Sequence, residues 1–148
     1  MNLKTTNKPV LIKGGFFEDQ RGRLDFVNEF DLTLIKRFYF ITNSSTNIVR
    51  SWQGHKIESR WFYCVKGSFK IKIIKIDDWQ NPSENLKPIT HILNSETPQV
   101  LYIPNGYVNG IKAIKEESKL MILSDYKLGA NPDDDYRFES NKWKKSND

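Results

Sequence analysis

The chain is poor in sulfur, has no long apolar run and shows no repeat. Its single cysteine, Cys64, rules out an internal disulfide. It lies in the apolar run Trp61-Phe62-Tyr63-Cys64-Val65. Nothing nearby in the sequence would lower its pKa, so a buried, inert thiol is expected. That cysteine usage fits a reducing cytosol. No stretch approaches the roughly 18 apolar residues that a membrane helix needs. The segment Met1 to Val10 is polar with no apolar core, so no secretory leader is expected. No helical periodicity of useful length, low-complexity tract or inter-domain linker is visible. These absences exclude disulfide-stapled, helical-membrane and repeat architectures. They lead us to expect a cytoplasmic protein that makes no use of a membrane.

What is present is aromatic. The 148 residues include nine Phe, six Tyr and four Trp, 13% aromatic against 38% hydrophobic overall. Disordered chains are aromatic-poor, so a folded core is expected. The length suits one domain spanning residues 1–148. Short runs separated by Gly, Pro, Asn and Asp point to an all-β sandwich or barrel. Strands are expected at Val10–Ile12, Gly22–Val27, Lys36–Ile41, Ile48–Gln53, Glu58–Lys66, Ser68–Ile76, Ile89–Leu93, Val100–Ile103, Val108–Ala113 and Lys119–Asp125. Phe69-Lys70-Ile71-Lys72-Ile73 alternates apolar and basic, which marks a strand with one wet face. Ile74-Lys75-Ile76 resumes the alternation out of phase, so a bulge near Ile73 is expected. Lys66-Gly67-Ser68 is a turn candidate that would make residues 58–76 a hairpin. Asp77 to Lys87 is the longest expected loop, and Pro104-Asn105-Gly106 is a tight turn. Tyr136, Phe138 and Trp143 lead us to expect a tail that packs back on the body. The net charge of +5 comes from scattered lysines. Such charge usually solvates a face. It suits an anionic small substrate, and no nucleic-acid-binding motif accompanies it.

Two segments carry chemistry. One is Arg50-Ser-Trp-Gln-Gly-His-Lys56, followed by Glu58, Arg60, Trp61 and Gly67. The other is Tyr102-Ile-Pro-Asn-Gly-Tyr-Val-Asn109. Strand alternation places Gln53 and His55 near one barrel wall. With an ordinary pKa near 6.5, His55 suits proton transfer at neutral pH. A guanidinium such as Arg60 can stabilise an enolate or grip phosphate, or it can pair with Glu58 or Asp125. Asp125 either orients His55 or caps a loop. Trp52, Trp61 and Tyr63 are read first as core and second as ligand platforms. His91 is read as a strand residue on the wetter face.

Together these segments resemble the two cupin motifs. The positions matching the first motif are Gln53, His55, Arg60 and Gly67. The second, Pro-x-Gly-x-x-His, is Pro104-x-Gly106-x-x-Asn109 here. The usual ligand positions thus hold Gln53, His55, Arg60 and Asn109. An arginine repels a cation and cannot coordinate one, so neither a metal nor any other cofactor is expected. Phe16-x-x-Asp19-x-Arg21-Gly22-x-Leu24 is similar to the opening of the dTDP-4-dehydrorhamnose 3,5-epimerases. Lys36-Arg37-Phe38-Tyr39-Phe40-Ile41 and the Arg50–Lys56 stretch are similar to the dTDP-sugar 3,4-ketoisomerases. The chain therefore resembles the RmlC-like cupins, over roughly residues 12–143. The resemblance implies a double-stranded β-helix, or jelly-roll, barrel. It implies isomerase or epimerase chemistry on a nucleotide-linked 4-keto-6-deoxy sugar, in deoxysugar and polysaccharide biosynthesis. Catalysis would fall to His55, Tyr39 and Arg60. Substrate binding would fall to Arg50, Gln53, Arg21, Lys56, Trp61, Asn109 and Asp125. In those families the first motif His is a main catalytic base, and here that position is Gln53; the epimerases' catalytic Tyr falls near Met121. The resemblance further implies a homodimer in which the N-terminal strand is exchanged and Arg21 reaches the neighbour's site. A non-catalytic sugar-nucleotide-binding module is the alternative.

Overall fold

The computed structural model describes residues 6–144. These residues form twelve strands: β1 Val10–Lys13, β2 Gly15–Asp19, β3 Gly22–Phe26, β4 Arg37–Ile41, β5 Val49–His55, β6 Arg60–Lys66, β7 Ser68–Lys75, β8 Ile89–Asn94, β9 Gln99–Ile103, β10 Tyr107–Ala113, β11 Lys119–Ser124 and β12 Tyr136–Arg137. A 3-10 turn, Leu32–Leu34, is capped by Asp31. The main strands form two antiparallel five-stranded sheets, ordered β1-β9-β6-β11-β4 and β12-β5-β10-β7-β8. The hairpin β2-β3 forms a separate two-stranded sheet. This is the jelly-roll expected from the sequence.

The sheets enclose a core built from alternate residues. Phe62 and Cys64 on β6, Phe69, Ile71 and Ile73 on β7, Leu93, Leu101, Ile111, Leu120 and Ile122 all face inward and are buried. Each fully buried side chain of this kind stabilises the fold by about 1.5–3 kcal/mol. The outer faces are covered as well. Trp61, Tyr102 and Leu123 pack under the 27–35 segment on one side. Trp52, Ile74, Ile76 and Val108 pack under Trp143 and Phe138 on the other, so the tail does fold back.

Several expectations are corrected. Residues 58–76 are not a hairpin: β6 pairs β9 and β11, whereas β7 pairs β10 and β8. The Lys66–Ser68 turn instead carries the chain from one sheet to the other. Gly67 allows this with φ +78°, and a Cβ there would lie 2.0 Å from the Ser118 hydroxyl. No bulge occurs at Ile73, where β7 pairs β10 in unbroken register from Phe69 to Lys75. Ile74 and Ile76 are buried because the tail covers the outer face. His91 lies opposite Ile71, so it shares the inner side of its edge strand instead of the wetter one. It is half-buried, and burial lowers its pKa. Strands β2 and β12 were not expected.

The bulge of this fold is on β5. Asn109 pairs with Gln53 and Ile111 pairs with Arg50, so Gly110 opposes both Ser51 and Trp52. Directly opposed residues share a face. The extra residue therefore brings Arg50 to the inner face with Gln53 and His55, where strict alternation would turn it outward.

Candidate active site

Between the sheets, at one end of the barrel, lies a cavity of about 1020 Å³. Its wall collects side chains from four strands: Tyr39 (β4), Arg50, Gln53 and His55 (β5), Arg60 (β6) and Asn109 (β10). Arg137, Phe138 and Glu139 close its far side. Strand register explains the convergence. Gln53 faces Asn109 across β5/β10, and Arg60 faces Ser124 across β6/β11.

His55 is buried, 8% exposed, and its Nδ1–H donates to the Asp134 carbonyl at 2.5 Å. That bond fixes the tautomer and leaves Nε2 as the nitrogen with a lone pair. Burial lowers the His55 pKa, and the Arg60 guanidinium lowers it further. The imidazole is thus neutral at pH 7 and able to accept a proton. The next loop is held by the same residue. The buried Asp134 carboxylate accepts the N–H groups of Lys56 at 2.6 Å, Ile57 at 3.0 Å and Glu58 at 2.9 Å.

Arg60 is also buried. Its Nη1 donates to Glu58 Oε1 and to Ser124 Oγ, both at 2.9 Å. Ser124 Oγ also donates to Glu58 Oε1 at 3.0 Å. An arginine this deep needs its countercharge, and Glu58 supplies it. Among the described residues its Nε and Nη2 have no hydrogen-bond acceptor. At the wall, Gln53 Nε2 donates to Asp135 Oδ1 at 3.0 Å, which holds the Asp135 carboxyl below its ordinary pKa. Arg50 Nε donates to Asn43 Oδ1 at 2.7 Å.

The expected catalytic set His55, Tyr39 and Arg60 is therefore gathered in one cavity, with Arg50, Gln53 and Asn109. Four other expected residues lie elsewhere. Trp61 is only 1% exposed on the outer face of β6, tilted against Tyr102 with ring centroids 5.0 Å apart. It is core on the far side of the sheet, so its assignment as a ligand platform is corrected. Asp125 accepts the Ser59 N–H at 3.0 Å and does not line the cavity. Lys56 is exposed, its ammonium 5.4 Å from the Tyr136 ring. Arg21 is tied to Asp19 at 2.7 Å on the exposed β2-β3 turn. Met121 packs in the outer-face cluster, and its neighbour Ile122 is the β11 residue that lines the cavity. Trp52 and Tyr63 are core on the outer faces. Burial pushes the Cys64 thiol up to about 11, in keeping with an inert thiol.

Sequence reasoning missed Asp134 and Arg137 as members of the site. Asp134 sits in the run Asp133-Asp134-Asp135, and nothing local singles it out, because its partners lie 76–79 residues earlier in the chain.

The metal question can be put to these donors. His55, Glu58 and Asp134 bring ligand-type atoms within 4.8 Å of one another. Asp134 is committed to three backbone N–H groups, Glu58 to Arg60 and Ser124, and His55 Nδ1 to a carbonyl. Of the four positions that match the cupin ligands, Gln53, His55, Arg60 and Asn109, only His55 is a good metal donor, and Arg60 brings a positive charge. This donor set does not fit a cupin metal ion.

A jelly-roll barrel mouth that holds a neutral imidazole, a buried guanidinium and two further arginines has the chemistry to accept a proton and to attract an anion. Residues 8–147 match the family model "FdtA: WxcM-like, C-terminal", and the chain belongs to that family. Its fold is shared with QdtA, a sugar 3,4-ketoisomerase from Thermoanaerobacterium thermosaccharolyticum in complex with TDP. The two are 25% identical over 93% of each chain, with a TM-score of 0.68. A 3,4-ketoisomerase from Helicobacter canadensis is 18% identical over 95% of this chain and 98% of its own, TM-score 0.69. The dTDP-4-dehydrorhamnose 3,5-epimerase of Bacillus anthracis is 14% identical over 90% and 79%, TM-score 0.73. No curated protein matches. Among the described residues, no helix is long and apolar enough to cross a membrane.

Proposed function

We propose that the chain is a metal-free isomerase of a nucleoside-diphosphate-linked 4-keto-6-deoxyhexose. The observation that carries this reading is the pairing, in one cavity, of a neutral His55 of fixed tautomer with the buried Arg60 guanidinium. The ketone at ring position four acidifies the neighbouring C–H. His55 Nε2 takes that proton as general base, and the C–H electron pair moves into the ring to form an enolate. Arg60 faces the developing oxyanion and stabilises its charge. Tyr39 serves as the second proton carrier, so that a proton returns on another atom or face. Arg50 and Arg137 are placed to take the diphosphate. Support comes also from QdtA, one of whose structures holds TDP-4-keto-6-deoxyglucose at 25% identity to this chain.

The protein works in the cytoplasm as a homodimer in this reading. Phe16, Phe17 and Leu24 are 52–60% exposed on a hairpin that pairs with no other strand among the described residues, and such a patch favours a second copy. Arg21, on the same hairpin, then reaches the neighbour's cavity. A second reading is a non-catalytic nucleotide-sugar-binding module. Gln53 favours it: an amide cannot take a proton at neutral pH, and this one is held by Asp135.

Incubation with dTDP-4-keto-6-deoxyglucose in heavy water separates the two. Isomerisation places solvent deuterium beside the ketone, and His55→Ala slows this by at least about 100-fold. Tight binding with no deuterium uptake refutes catalysis, and a His55→Ala protein that exchanges at the parent rate removes His55 from the mechanism.

A further inference from the structure

A second cavity, of about 450 Å³, lies on the outer face of the β5-β10-β7 sheet. We propose that it binds the phosphate or diphosphate group of a small organic molecule. This reading stands independently of the one given for the central cavity, with which the groove shares Val49, Ser51, Trp52 and Ser140 at the β5 edge but none of the lysines.

Among the described residues, the charged side chains lining this groove are all of one sign. Lys70, Lys72, Lys112 and Lys144 line the groove, and none of the described residues lining it is Asp or Glu. Lys70 and Lys112 sit directly opposite each other across β7/β10. Like charges so placed destabilise a sheet. Neither has a carboxylate partner among the described residues, and an anion bound between them removes the repulsion. Lys72 stands next on the same face of β7. Cross-strand neighbours are about 5 Å apart at Cβ, and residues two apart on a strand about 7 Å. Flexible lysine stems rooted at that spacing converge on the oxygens of a single phosphate or diphosphate. A concave cleft of one charge sign also concentrates its counter-ion.

Size and walls define the rest of the ligand. The volume falls in the small-molecule range of about 300–1,000 Å³. Trp52, Trp143 and Pro88 provide an apolar side for an organic moiety.

The test is an amide NMR titration of the full chain with inorganic pyrophosphate. Saturable shifts at residues 70, 72 and 112 are expected, with a dissociation constant in the millimolar range or below. Lys112→Glu weakens this site at least about tenfold by charge reversal. Because its carboxylate faces Lys70, the variant keeps or gains thermal stability, so the loss is not unfolding. Lys70→Gln gives a second, smaller loss should that variant fail to fold. Shifts confined to Arg50, Arg60 and their neighbours overturn the proposal, as does an unchanged affinity in Lys112→Glu. A single-stranded oligonucleotide that shifts the same lysines more tightly than pyrophosphate overturns the small-molecule assignment.

Discussion

Asp134 offers the sharpest test of how the site is held together, because one residue makes four bonds to the 55–58 segment. Its carbonyl takes the His55 Nδ1–H and its carboxylate takes three backbone N–H groups. Asp134→Ala leaves those three donors without an acceptor. The Glu58 N–H is buried, so its desolvation goes uncompensated at about 1–3 kcal/mol. The Lys56 and Ile57 N–H groups are only partly buried, and water replaces much of what they lose. The sum is about 3 kcal/mol, and Asp134→Asn, which keeps one acceptor oxygen, costs about half of that. Urea unfolding followed by tryptophan fluorescence measures the loss. The second readout is the imidazole itself. With two histidines in the chain, the 15N spectrum is assigned by one substitution at His91. The parent shows His55 as the Nδ1–H tautomer. In Asp134→Ala the carbonyl is no longer held in place, and the ring moves toward the Nε2–H form that free imidazole prefers. A stability loss below about 0.5 kcal/mol, or an Nε2–H tautomer in the parent, refutes this account.

The remaining predictions are briefer. Burial lowers the pKa of both His55 and His91 below the ordinary 6.5. The unfolded chain therefore binds more protons as pH falls through that range, so their contribution to stability is complete above pH 6.5 and lost below it. The urea midpoint should drop from pH 7 toward pH 5, and replacing both histidines by glutamine should flatten that slope; an unaltered slope speaks against it. Trp61→Ala should cost about 3–5 kcal/mol while leaving nucleotide affinity of the folded protein within about twofold. A tenfold loss of affinity at full folding would return Trp61 to the site.

The sequence makes the strands of the two main sheets legible where apolar and polar residues alternate, as in Phe69 to Ile73. It misleads where both faces are covered. Ile74 is buried by Trp143, sixty-nine residues later, and reads locally as a slip of phase. Strand β2 escapes notice because Phe16 and Phe17 are both exposed and show no alternation. Strand β12 has two residues, too few for any period. Within the site, the motif positions Gln53, His55, Arg60 and Asn109 are legible because strand register alone brings them together. Asp134 is not, since its role depends on where a distant loop docks. Trp61 reads as a site residue only because it adjoins Arg60, and on a strand adjacency means the opposite face.

The bulge on β5 has an evolutionary corollary. Position 50 looks into the cavity because of backbone length, whatever side chain it carries. It is thus a socket whose chemistry can be exchanged by a single codon, lysine or glutamine for arginine, with the sheet undisturbed. The spacing to Gln53 tolerates one change and not two: deleting one of the two residues opposite Gly110 would restore regular pairing and keep that socket against Ile111, whereas deleting both would set it beside Gln53 on the opposite face.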